Sequence, residues 1–87
     1  SNAKMPVGLT GDGLELSVLK KAEKEDVWIV RIIETAGRES TGSLEVNGTI
    51  TECDLMELKD IGAPESVKGE TQVSLSPFEI KTYKITP

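Results

Sequence analysis

Val27-Trp28-Ile29-Val30-Arg31-Ile32-Ile33-Glu34 is apolar at six of its eight positions, on both parities. A strand that alternates apolar and polar residues covers one face. A strand that is apolar on both parities must be covered on both. The run is also rich in β-branched residues, which favour extended backbone. It therefore reads as the central strand of a sheet.

Working outward, Leu14 to Leu19 places Leu14, Leu16 and Val18 on one face and Glu15 and Ser17 on the other, the period of a half-buried strand opened by a Gly11-Asp12-Gly13 turn. Lys20 to Asp26 has helix-forming composition but falls short of the roughly 12 residues an isolated helix needs, so it reads as a connection with room for one helical turn. On the other side Ala36 to Ser40 breaks the pattern, and Thr41 to Val46 resumes it. Asn47-Gly48 then predicts a type I′ hairpin turn, because both residues tolerate positive φ, with Ile50 to Leu58 folding back. Lys59 to Gly69 reads as a crossing loop and Thr71 to Leu75 as a short strand. The run Phe78 to Ile85 follows Ser76-Pro77 and closes the set. In that last run Phe78 and Ile80 share one parity, Tyr83 and Ile85 the other. A bulge near Lys81-Thr82 would restore a single buried face; without it, one apolar pair points outward. The expected fold is all-β, an antiparallel β-sandwich of about six short strands and immunoglobulin-like size.

Eighty-seven residues suit one domain, and folding at this length hides only about 60 to 65 % of the unfolded surface. Ser1-Asn2-Ala3 reads as the remnant of a cleaved expression tag. Residues 4–87 are expected to form a single β-sandwich domain, with Lys4 as a boundary drawn inside a longer chain, although Met5 also fits a small native protein. Ten basic against fifteen acidic residues give a net charge of -5, and Lys20, Lys21 and Lys24 are neutralised by Glu23, Glu25 and Asp26, so nucleic acid is not an expected partner. No run approaches the ~20 apolar residues of a membrane span. Cys53 is alone, which rules out an internal disulfide and favours a cytoplasmic setting. It reads as a structural, buried or half-buried thiol.

The chain has no histidine. That removes the commonest metal ligand and general base, and with them Ser/His/Asp and Cys/His systems. Glu52, Asp54 and Glu57 form the obvious carboxylate set, with Glu52 and Asp54 on one face of a strand, where an acidic solvent face explains them without catalysis. Gly11-Asp12-Gly13 lacks the spacing and the Lys-Ser/Thr ending of a phosphate loop. Asn47-Gly48-Thr49 matches a glycosylation sequon that the turn reading already explains. Trp28 and Phe78 are expected in the core, with Tyr83 undetermined. No residue is expected to be catalytic, to bind a cofactor or to ligate a metal. Arg31, mid-strand among aliphatic residues, needs a partner if covered. Glu34, Glu57 and Glu79 are candidates, Glu57 being favoured, or else the guanidinium reaches solvent.

Four pieces, Leu16 to Glu23, Ile29 to Glu34 with Gly37, Asp54-Leu55-Met56-Glu57, and Ser76-Pro77-Phe78-Glu79-Ile80-Lys81-Thr82, together resemble the end of glycoside hydrolase family 38 α-mannosidases over about residues 14 to 86. The residues that carry the resemblance are Arg31, Glu34, Glu57, Pro77, Phe78, Glu79, Ile80, Lys81 and Thr82. One departure is Lys24-Glu25-Asp26, which lacks a glycine expected in that turn.

The resemblance implies a C-terminal β-sandwich attached to a retaining, exo-acting α-mannosidase, with zinc and an aspartate nucleophile in a separate catalytic domain. None of those catalytic or zinc-binding residues maps onto this sequence. It further implies the remaining domains of the parent as partners, with homo-oligomers open. The alternative is an independent carbohydrate-binding module. Exposure of Trp28 and Tyr83 discriminates, because sugar modules display aromatic residues beside polar groups, whereas a docking domain displays an apolar patch.

Overall fold

The computed structural model describes residues 7–21, 27–56 and 58–87. Six strands run β1 (Gly8–Thr10), β2 (Leu14–Lys21), β3 (Val27–Glu34), β4 (Ser40–Cys53), β5 (Glu65–Leu75) and β6 (Ile80–Thr86), and every pairing is antiparallel. The strand order is β1-β4-β6-β3-β2, with β5 on the free side of β4. A tight turn at residues 11–13 returns β2 to β1, so the sheet curls almost into a barrel, consistent with a small β-sandwich.

β3 occupies the central place its sequence predicts, between β2 and β6. Val30 and Ile32 are fully buried on its inner face and Ile29 is buried on the outer one. Inward alternation supplies the rest of the core: Leu44, Val46 and Ile50 from β4, Val67, Val73 and Leu75 from β5, and Tyr83 and Ile85 from β6. Trp28, Leu14 and Leu16 pack at its margin.

The count of six matches the expectation through different strands. Asn47-Gly48 is not a hairpin turn: both residues lie inside β4, and of the two only Gly48 has positive φ, at 148°. Asn47 instead accepts a 2.8 Å hydrogen bond from the Gly69 amide across the ladder. The physical reason is the length of β5. Val67, Thr71, Val73 and Leu75 share one parity, and pairing them requires the unbroken stretch Ser40 to Ile50 opposite. Gly48 marks a change of neighbour along one edge of β4, which pairs with β1 at residues 43–45 and with β6 at 49–53. A side chain there would sit 2.5 Å from the carbonyl oxygen of Thr86.

The real reversal between β4 and β5 is residues 54–64. The expected strand to Leu58 ends at Cys53, because Asp54 folds the chain: its amide donates to the Lys59 carbonyl (2.8 Å), its Oδ1 accepts from the Lys59 amide (3.2 Å), and Leu58 adopts φ 57°. The expected loop 59–69 is correspondingly shorter, since β5 begins at Glu65. Lys20 and Lys21 extend β2 rather than starting a connection. The rest of that segment, including Lys24-Glu25-Asp26, lies outside the described residues.

β6 has no bulge. Its register with β3 is continuous from Trp28 opposite Ile85 to Ile33 opposite Ile80. Tyr83 and Ile85 therefore face the core while Ile80 faces outward, 42 % exposed.

Candidate functional site

Glu34 ends β3 on the same parity as Val30 and Ile32, so its side chain points inward and is fully buried. A buried carboxylate persists only with donors around it. Five are supplied. Oε1 accepts from the amides of Gly37 (2.8 Å), Arg38 (3.2 Å) and Phe78 (2.8 Å), and Oε2 from the amide of Ala36 (2.8 Å) and the hydroxyl of Ser40 (3.3 Å). Burial acts to raise its pKa, but the amides of Phe78, Ala36, Gly37 and Arg38 outweigh it and hold the group below the usual carboxylate value.

The carboxylate thus ties the turn after β3 to the turn before β6, 44 residues apart in sequence. Glu79 organises that second turn: Oε1 accepts from the Ser76 amide (2.8 Å), its own amide donates to the Ser76 carbonyl (3.0 Å), and its carbonyl accepts from the Glu34 amide (3.0 Å). Pro77 lies in the turn, and Phe78 follows with φ 60°. The expectation that Phe78 packs in the core is wrong. The residue is 68 % exposed and its ring lies over Gly37, because the hydrogen bond that its backbone N–H donates to Glu34 fixes its backbone at the surface.

A second group lies on the outer face. Arg31, Thr82 and Cys53 are register partners across β3, β6 and β4, the last two buried. Arg31 donates from Nη2 to the Leu55 carbonyl at 3.4 Å, while its Nε and the Thr82 hydroxyl are buried without a partner among the described residues. Glu34 and Glu79 are not the partners of Arg31; both serve backbone amides. The favoured partner, Glu57, lies outside the described residues. Burial pushes the Cys53 thiol up, with Asp60 and Asp54 adding to it, consistent with an inert structural cysteine. Lys81 is half-buried at the start of β6.

Of the carboxylates weighed for catalysis, Asp54 is spent on its turn and Glu52 faces the opposite side of β4 from Cys53. Among the described residues no three His, Cys, Asp or Glu side chains gather as a metal site, and no helix is long and apolar enough to cross a membrane. Trp28 is half-buried and Tyr83 buried.

The role of Glu34 as acceptor was missed by the sequence reading. Its signal was parity: a carboxylate two residues beyond Val30-x-Ile32, followed by the turn Ala36-Gly37-Arg38.

The family model described as the glycosyl hydrolases family 38 C-terminal beta sandwich domain matches residues 13–83. No curated protein and no solved structure matches the chain.

Proposed function

This chain belongs to the glycosyl hydrolases family 38 C-terminal beta sandwich domains, and on that premise we propose that it is a non-catalytic docking domain of an α-mannosidase-type hydrolase. The parent removes terminal α-mannosides in a separate catalytic domain, which also holds the zinc. The present domain packs against the other domains of the parent and stabilises them.

The observation that carries this reading is the outward face of β6 and its turn. Ile80 stands opposite half-buried Ile33 on the outer face, and Phe78 is exposed in the turn that precedes it. Leu55, Met56 and Ile61 are also exposed, from the 54–64 connection. Large apolar side chains at the surface of so small a domain suit a partner surface that covers them. A carbohydrate-binding module is less well supported, since Trp28 is half-buried, Tyr83 is buried, and Phe78 alone would have to act as the aromatic platform.

The test is thermal unfolding of the full-length enzyme beside a version lacking this domain, with aryl-mannoside turnover by both and by the isolated domain. Truncation is expected to lower the melting temperature, and the isolated domain to show no turnover. An unchanged melting temperature would remove the docking role.

A further inference from the structure

β5 pairs with β4 along its whole length and, among the described residues, with no strand on its other side. An open edge is a template for a further strand. Ser66, Lys68, Glu70, Gln72 and Ser74 are exposed along it, while Val67, Val73 and Leu75 face the core. Gly69 donates its amide to Asn47 Oδ1 in β4 at 2.8 Å. Successive residues of a strand direct their backbone groups to opposite edges, so those of Lys68 and Glu70 turn to the open one. The charges here are not balanced within the chain. Glu70 stands directly opposite Glu45 across the ladder, both exposed, which is a destabilising arrangement. Glu70 accepts from the Ser43 hydroxyl (3.0 Å), but neither carboxylate is ion-paired with a described residue, and nor is Lys68.

We propose that a second copy of this chain pairs with this edge, β5 antiparallel to β5, about a two-fold axis at Gly69. In that register residues 65–73 face the same residues of the other copy in reverse order, so each Lys68 stands opposite Glu70 of the other copy. Both charge pairs form at once, and each ammonium arrives where two carboxylates already face each other. The edge-facing peptide groups of Lys68 and Glu70 exchange hydrogen bonds across the axis. Gly69 meets its own copy at a non-hydrogen-bonded site, where the Cα atoms approach to about 4.5 Å and no side chain intervenes. A slip of two residues in either direction sets Lys68 against Lys68 or Glu70 against Glu70, so the charges select the register. A lysine on an edge ordinarily repels added strands. With Glu70 two residues on, it selects this chain's own edge. The contact is the same patch on both copies and uses the open edge up, so assembly closes at two. The docking face proposed above lies on β6 and its turn, and this pairing does not rest on it.

The experiment is sedimentation equilibrium of the 87-residue chain across a dilution series, beside Lys68→Glu, Glu70→Lys and their equimolar mixture. The chain is expected to pass from monomer to dimer with concentration and to go no further. Each single variant sets two like-charge pairs across the axis and should dimerise about tenfold or more weakly. Mixed, the two variants again oppose unlike charges at both sites and should recover the association as a heterodimer. A chain that stays monomeric at every concentration, a variant that dimerises as tightly as the wild type, or a mixture no more associated than its components would each overturn the proposal. Should a variant misfold, salt decides: the wild-type dimer should weaken as salt rises, and a dimer indifferent to salt would refute the charge-selected register. None of these outcomes alters the melting of the truncated enzyme, so the two readings fall separately.

Discussion

Replacing Gly48 by alanine should cost this domain far more than the same change at Gly69, although both glycines have positive φ, 148° and 99°. Forcing an L-residue into such backbone costs about 1–3 kcal/mol at either site. The surroundings differ. A Cβ at Gly48 would lie 2.5 Å from the carbonyl oxygen of Thr86 and 3.1 Å from the Cα of Pro87, whereas a Cβ at Gly69 would meet nothing within 4 Å. Overpacking adds roughly another 1–3 kcal/mol at Gly48 alone. Gly69→Ala should therefore cost about 1–3 kcal/mol and Gly48→Ala about 2–6 kcal/mol, against a total stability of roughly 4–13 kcal/mol for a chain of this length. Urea unfolding followed by the fluorescence of Trp28, the single tryptophan, reports both changes. Each kcal/mol should also lower the melting temperature by about 4–8 °C. Deleting residues 86–87 in each background completes a cycle in which the steric share of Gly48→Ala is relieved and its backbone share remains. If Gly48→Ala costs no more than Gly69→Ala, or the deletion brings no relief, the close approach of Thr86 and Pro87 does not govern the cost of a side chain at Gly48.

Glu34→Gln should destabilise the domain at neutral pH and flatten its acid sensitivity. The folded carboxylate titrates below its unfolded value, so its contribution is present above the unfolded value and is lost as pH falls through the folded one; urea midpoints from pH 7 to pH 3 read this directly. Leu44→Ala, at a fully buried position, should cost about 2–5 kcal/mol in the same urea assay. Cys53 should react with a thiol reagent in native protein far more slowly than in urea-unfolded protein, because burial both shields the thiol and raises its pKa. Comparable rates would contradict its burial. Ile80→Lys should change the stability of the isolated domain by less than about 0.5 kcal/mol while weakening its association with the truncated parent in a calorimetric titration.

Periodicity was legible where burial is strong. β3 has the boundaries its sequence predicts, and β2 begins at the predicted Leu14. Local turn chemistry misled where a longer pairing outweighed it: Asn47-Gly48 satisfies a hairpin locally, but only a continuous β4 pairs all of β5. The first half of β5 reads as loop in the sequence because Ser66, Lys68, Gly69 and Glu70 are polar or flexible. Those residues are exposed, while Val67 faces inward. β1 has three residues, too few to show a period. Glu34 was considered as an ion-pair partner for Arg31, yet the two lie on opposite parities of β3; once the strand is recognised, that alone separates them. Which strands meet across the sheet is not written in spacing, so the strand order had no signal in the sequence.

The length of β4 bears on how the domain opens. This one strand hydrogen-bonds to β1, β5 and β6, and among the described residues no other strand has three neighbours. Releasing residues 43–45 unpairs the ladders to β1 and β5 together, and releasing Thr49 and Ile50 unpairs those to β5 and β6, so the amides there should exchange with solvent only through global unfolding, whereas those of β2, an edge strand paired with β3 alone, can exchange by local fraying. Hydrogen exchange should therefore divide the sheet into a slow spine and a faster rim.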